Sequence, residues 1–314
     1  MTKAVAFSSR LRLPAAAGAA AAGTYLLIVL GAVVRATGSG LGCPDWPTCH
    51  GSWIPPWERT ALIEYSHRSL ALIVGLMVAA VFWLAWRQRH GHRREMIVAS
   101  ISVGLLLVQA GLGRQVVLGE LDARLVTVHL STAMLLLAAL VFLATRPARG
   151  AALSAAARPY WLAAGGVFLV IALGAFVRGE NAGLAFTDWP LMDGTLLPGS
   201  VTDSVPDLAQ FLHRAAVLLV GIYLVRLVFA VRSGSRPGGV RTASIMMLAL
   251  YLAQAALGAA NIWLLLTSWT RVGHVALASL LWSVAFMLPF AAARPAAAES
   301  PSRRHTLTNL HGGR

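Results

Sequence analysis

Gly31–Pro47, GAVVRATGSGLGCPDWP, returns later in the chain as Gly174–Pro190, GAFVRGENAGLAFTDWP. Gly31 and Gly174, Arg35 and Arg178, Gly40-Leu41 and Gly183-Leu184, and Asp45-Trp46-Pro47 and Asp188-Trp189-Pro190 all stand 143 residues apart. Working outward, His67-Arg68 matches His213-Arg214 at an offset of 146. Gln109-Ala-Gly-Leu-Gly113 matches Gln254-Ala-Ala-Leu-Gly258, and His129 matches His274, both at 145. Such small changes of offset are loop insertions, so the chain is a tandem repeat.

The repeated unit is built of long apolar runs. Of the 314 residues, 57% are hydrophobic and 12% charged, against about a quarter charged in a soluble domain. Eight runs, about 16–37, 62–85, 97–117, 125–145, 160–178, 208–231, 243–266 and 271–291, are each long enough to cross a bilayer as a helix. Strict alternation is absent and Ala and Leu dominate, so the runs read as helices rather than barrel strands. The first run follows Lys3, Arg10 and Arg12 as a signal peptide would, but it is too long for one and its end has a counterpart in the second copy.

Each copy holds four helices, and an even number gives both copies the same orientation. The expected fold is an all-α integral membrane protein of eight transmembrane helices in two tandem, pseudo-symmetric four-helix bundles. Its expected parts are a tail over 1–15, an amino-terminal half over 16–145 with an outer loop at 38–61, a linker over 146–159, a carboxy-terminal half over 160–291, and a tail over 292–314.

The net charge of +14 follows topology rather than nucleic acid. Arg87, Arg89, Arg93 and Arg94 lie between runs two and three, Arg146, Arg149 and Arg158 between four and five, and Arg232, Arg236 and Arg241 between six and seven. Arg294, Arg303, Arg304 and Arg314 add to the carboxy-terminal tail. Residues 179–207 hold no Lys or Arg, but do hold Glu180, Asp188, Asp193, Asp203 and Asp207. The positive-inside rule then places both termini in the cytoplasm, with contact to anionic membrane lipid as a by-product. Cys43 and Cys49 fall in an outer loop, where oxidation permits a disulfide.

Five of the nine histidines lie in loops or tails: His50, His90, His92, His305 and His311. The other four, His67, His129, His213 and His274, fall about one turn inside the outer ends of helices two, four, six and eight. Ionisable side chains within a membrane are costly and mark function. Neutral imidazole is a good axial ligand for heme iron. Two histidines at one depth on facing helices of each copy can clamp a macrocycle between them. Zinc would need more ligands in a compact set.

The copies differ where chemistry is expected. Glu64 aligns with Gln210, Cys43 with Phe186 and Cys49 with Met192. Glu64 and His67, three apart, share a helix face, and a partly desolvated carboxyl there suits proton transfer; its bland alternative is a pair with Arg68. The cysteines are open to two readings, a clip closing a short loop or an exposed redox pair. Arg35, Arg68, Arg114, Arg178, Arg214 and Arg271 sit at outer helix ends. Arg35 and Arg178, repeated by position, are the preferred partners for heme propionates. The duplicated Asp-Trp-Pro segments read as loop-shaping elements.

The stretch from Gly31 through Cys43-Pro-Asp-Trp-Pro-Thr-Cys49, followed by Glu64-Tyr-Ser-His67-Arg68, resembles heme A synthase, over about residues 16–291. The resemblance implies an oxidoreductase of the cell membrane. It oxidises the C8 methyl group of heme O to a formyl group by successive hydroxylations, giving heme A for terminal oxidases. It also implies that His67 and His129 flank heme O, that His213 and His274 hold a heme b, that Glu64 is the essential acid, and that Cys43 and Cys49 form a disulfide. The electron acceptor is left open. A homo-oligomer is compatible with it, as are contacts with heme O synthase or an oxidase assembly factor for handing over a reactive product. A di-heme b-type electron-transfer protein and a heme carrier are the competing readings. The first does not explain why Glu64 and the cysteines occur in one copy alone, and the second predicts that bound heme leaves unchanged.

Overall fold

The computed structural model describes residues 2–147, 154–198, 202–234 and 237–292, with side chains from residue 12 onward. Arg149, Arg236, Arg294, Arg303, Arg304, Arg314, His305, His311, the side chains of Lys3 and Arg10, and part of the expected linker lie outside the described residues.

Eight helices follow in order: α1 Thr2–Ala36, α2 Arg59–Arg87, α3 Arg93–Leu118, α4 Ala123–Thr145, α5 Arg158–Gly179, α6 Val205–Ser233, α7 Gly238–Trp263 and α8 Ser268–Ala292. All eight are long and apolar enough to cross a membrane, and no strand occurs among the described residues. Most helices begin before their apolar run, because a first turn needs capping rather than hydropathy. Asp122 accepts from the amides of Arg124 and Leu125 to start α4, and Ser204 accepts from Asp207 to start α6. In consequence the four histidines lie deeper than the expected single turn. His67 and His213 are the ninth residues of α2 and α6, and His129 and His274 the seventh of α4 and α8, about 9–12 Å from those ends. Two boundaries depart from expectation. Residues 2–15 continue α1 instead of forming a separate tail. The seventh helix stops at Trp263, short of 266, because Leu265 and Leu266 turn into the left-handed region, as Glu120 and Leu121 do after α3.

In the first four helices α1 packs on α2 and α4, and α3 on α2 and α4; in the last four α5 packs on α6 and α8, and α7 on α6 and α8. Contacts between the two sets run through α1, α4, α5 and α8. The seam is filled at one end by Phe142, Trp161, Phe168, Trp282, Phe286 and Phe290, in edge-on and tilted contacts. The Trp282 indole N–H donates to the Met134 carbonyl at 2.8 Å. That leaves the other end, which carries the long loops after α1 and α5, free to hold a cavity.

Candidate functional site

A cavity of about 1630 Å³ occupies the long-loop end and reaches into both sets of helices. His67, His129, His213 and His274 all line it. Each ring is seated the same way, with its Cε1 edge against a glycine of a neighbouring helix. A Cβ built on Gly31, Gly113, Gly174 or Gly258 would stand 3.1, 3.5, 2.9 or 3.3 Å from Cε1 of His67, His129, His213 or His274 respectively. At Gly31, Gly174 and Gly258 only the missing side chain lets the ring lie so close to the helix backbone, whereas at Gly113 a Cβ would make an ordinary contact. In all four the Nδ1 atom is buried with no hydrogen-bond partner. Nε2 is not among the occluded atoms of any of the four rings, although beside His213 the Val170 backbone is close enough to interact with the ring.

This donor set fits heme. Each half offers two imidazole nitrogens within an apolar cavity, and among the described residues no cluster of three or more His, Cys, Asp or Glu could hold a bare ion. A heme brings four nitrogens of its own, so the two histidines of each half would be enough to hold it.

Glu64 also lines the cavity although it is only 4% exposed. Its Oε2 accepts from the Cys43 amide at 2.8 Å, and its Oε1 from Arg68 Nη2 at 2.6 Å. The bland pairing with Arg68 is therefore present, together with a second anchor. Arg68 in turn donates to the carbonyls of Cys43, Asp45 and Thr48 at 2.7–2.8 Å, binding the whole loop to α2. The other copy repeats this set. Arg214 donates to the carbonyls of Phe186, Asp188 and Leu191, and the Phe186 amide donates to Gln210 Oε1 at 2.5 Å. Gln210 Nε2 donates to Gly183 O, so Arg214 has no side-chain carboxylate in the place of Glu64.

Cys43 and Cys49 are joined by a disulfide and are fully buried. Neither sulfur is exposed in this conformation, which fits a clip closing the loop more closely than an exposed redox pair. Trp46-Pro47 and Trp189-Pro190 are both cis, and Asp45 and Asp188 both turn the chain that follows. Asp45 accepts from the Thr48 hydroxyl and the amides of His50 and Gly51, and Asp188 from the amides of Asp193 and Gly194. The Thr48 hydroxyl and then the Gly51 amide hold the Asp45 carboxyl down to about 2; the Gly194 amide leads in lowering that of Asp188.

The model of the family described as Cytochrome oxidase assembly protein matches residues 16–62 and 57–286. Heme A synthase of Symbiobacterium thermophilum is 31% identical over 274 residues, covering 82% of this chain and 88% of that protein. Heme A synthase of Geobacillus kaustophilus is 31% identical, covering 89% and 91%, and that of Methylorubrum populi 32%, covering 82% and 82%. The chain belongs to the heme A synthase family.

Within this member of the heme A synthase family, the sequence-picked residues divide cleanly. The four histidines, Glu64, Arg35 and Arg178 come together on the cavity. Arg68 and Arg214 reach it too but are committed to loop carbonyls, and Arg114 is exposed outside it. The sequence reading missed the seating role of the four glycines, whose signal was their recurrence at matching offsets. It also missed Tyr251, which aligns with Leu106. Tyr251 packs on Gly221 and donates to the Val217 carbonyl at 2.7 Å, tying α7 to α6, whereas Leu106 meets Gly75 by side-chain contact alone.

Proposed function

We propose that this chain is a heme A synthase, oxidising the C8 methyl group of heme O to a formyl group. The observation that carries the reading is the asymmetry of the two histidine pairs. Both are seated on glycine, and among the described residues only the His67/His129 pair has a buried carboxylate, Glu64, on the same cavity wall. The amino-terminal half holds heme O as substrate between His67 and His129. When bound between His213 and His274, a heme b supplies a one-electron redox centre for passing electrons to an outside acceptor. The α6–α7 tie through Tyr251 supports retention in that half, and its lack between α2 and α3 supports exchange of substrate and product.

Two successive hydroxylations give a gem-diol that loses water to the aldehyde. With electrons leaving to an acceptor, oxygen is balanced from water, and each hydroxylation releases two electrons and two protons. Glu64 serves as the base for those protons or as the negative charge that stabilises a cationic reacting carbon. Arg68 and the Cys43 amide hold its two oxygens in place. Arg35 and Arg178 receive propionates. The long loops face the outer side of the cell membrane and both termini the cytoplasm, in keeping with the arginine distribution.

The test is to purify the chain in detergent from cells that make heme O, extract the hemes and identify them by mass. Heme b together with heme O and heme A is expected. Glu64→Gln should cut conversion by about a hundredfold or more and accumulate heme O or a hydroxylated intermediate. Heme b alone, at two per chain and indifferent to heme O supply, would replace the synthase reading with an electron-transfer cytochrome.

A further inference from the structure

Arg35, Arg178 and Arg271 line the same cavity where the two halves meet. Arg178 lies close enough to both others to be repelled by them. Their hydrogen bonds go to neutral acceptors. Arg178 donates to the carbonyl of Arg35 at 3.3 Å and to Asn181 Oδ1 at 3.3 Å. Arg271 donates to the carbonyl of Ala36 at 2.7 Å and contacts the Ser268 hydroxyl at 3.5 Å. The Arg35 side chain makes none, and Nε of Arg35 and of Arg271 are buried without a partner. None of the ion pairs among the described residues involves the three. Three half-buried guanidiniums with no carboxylate are costly unless an anion joins them.

Their placement says which anion. Arg35 stands four residues beyond Gly31, which seats His67, and Arg178 four beyond Gly174, which seats His213. Each is thus one turn, about 6 Å, nearer the long-loop end than the iron-binding ring of its own half. Arg271 precedes His274 by three residues and shares its face of α8. Yet its guanidinium crosses to the end of α1 in the other half. Its aligned position in the first copy is Val126, and Val116 likewise aligns with Asn261, whose side-chain oxygen is buried without a partner on the same cavity. Both polar additions therefore lie in the second copy, and Arg271 reaches across to the first.

We propose that Arg35, Arg178 and Arg271 form a single carboxylate-binding site at the seam, shared by the acid groups of the hemes in both halves, with Arg271 as the bridging residue. This rests on the heme reading and adds to it that the two halves are coupled through one anion site. Acidic lipid headgroups offer a similar charge, so the test must separate the two sources.

The full-length apoprotein in neutral detergent is titrated with hemin and with hemin dimethyl ester, followed by the Soret band. Wild type should bind the free acid about ten- to a hundredfold more tightly than the ester, a comparison that needs no variant. Arg271→Gln should lose most of that preference, and Arg114→Gln should keep it. In backgrounds that leave one histidine pair, His67→Ala with His129→Ala or His213→Ala with His274→Ala, Arg271→Gln should weaken the acid preference of either remaining pair. Equal binding of acid and ester by wild type overturns the proposal. So does a loss confined to the His213/His274 pair. Stabilisation of wild type, but not Arg271→Gln, by phosphatidylglycerol with no preference for the free acid assigns the site to lipid and overturns it too. No Soret band with either hemin would instead remove the heme reading, and this site with it.

Discussion

The two halves of the molecule build one scaffold and place different chemistry on it. Arg68 and Arg214 hold their loops through the same three carbonyl positions, and the amides of Cys43 and Phe186 donate to Glu64 and Gln210. Where one half has a disulfide, the other buries Phe186 and Met192. What stays constant is what a bound macrocycle needs: two imidazoles on two glycines, with an arginine one turn further on. What varies includes a single carboxylate, a covalent clip, a tyrosine tie between helices, and the polar Arg271 and Asn261 where the first half has Val126 and Val116. On the proposed reading, repetition separates what both halves need for binding from what one half adds, whether for reaction (Glu64) or for bridging the seam (Arg271).

The largest effects should come from what the halves share. An alanine at each seating glycine pushes a methyl group against its histidine ring, and the available space is graded. Heme content after purification should fall most for Gly174→Ala, where the added carbon stands 2.9 Å from the ring, then Gly31→Ala at 3.1 Å, then Gly258→Ala at 3.3 Å, with Gly113→Ala at 3.5 Å nearly unaffected. Contacts under about 3.4 Å require ring or backbone to move, a strain of about 1–3 kcal/mol, or roughly five- to a hundredfold in retention. A flat series, or an inverted one, would show that the glycines serve helix packing and not the rings.

The halves' shared scaffold was largely legible in the sequence, and their differences less so. Apolar runs and the recurring Gly-Ala-x-Val-Arg and Asp-Trp-Pro segments expose eight helices and a duplication, because hydropathy and spacing are one-dimensional signals. The histidine pairs were legible for the same reason. The roles of the six outer arginines were not. Arg68, Arg214 and Arg271 have the same residue type at similar depths, and only packing decides that two bind loop carbonyls while the third crosses the seam. The first turns of α2, α4, α6 and α8 were also hidden, since caps such as Asp122 and Ser204 carry no hydropathy signal.

A middling effect is expected where one half has the clip and the other does not. Replacing Cys43 and Cys49 with Phe and Met transplants the packing of the second half into the first. Closing so short a loop contributes about 2 kcal/mol, and buried apolar side chains should offset part of it. The double variant should fold, melt a few degrees lower, and convert heme O at a few-fold reduced rate, because the Cys43 backbone amide that holds Glu64 is retained. Complete loss of conversion in a protein that still binds heme would restore an electron-relay role for the pair.

The smallest effect separates the two Asp-Trp-Pro loops. Thr48 aligns with Leu191, so Asp45 accepts a hydroxyl that Asp188 lacks. That hydroxyl leads in holding Asp45 at about 2, below the ordinary 3.8, while Asp188 is lowered with amide donors in the lead. A carboxylate depressed on folding contributes stability that is fully present above its unfolded value and is lost as pH falls through its folded one. The Asp45 contribution should therefore persist below pH 3.8 and disappear near pH 2, and that of Asp188, also lowered, should be lost as pH falls through its own folded value. Carboxyl titration by NMR of aspartate-labelled protein tests this directly. Thr48→Leu should raise the Asp45 midpoint toward its ordinary value and leave Asp188 unchanged. If Asp45 titrates at its ordinary value in the wild type, the Thr48 hydroxyl does not hold its carboxylate, and the two Asp-Trp-Pro turns are not distinguished by that contact.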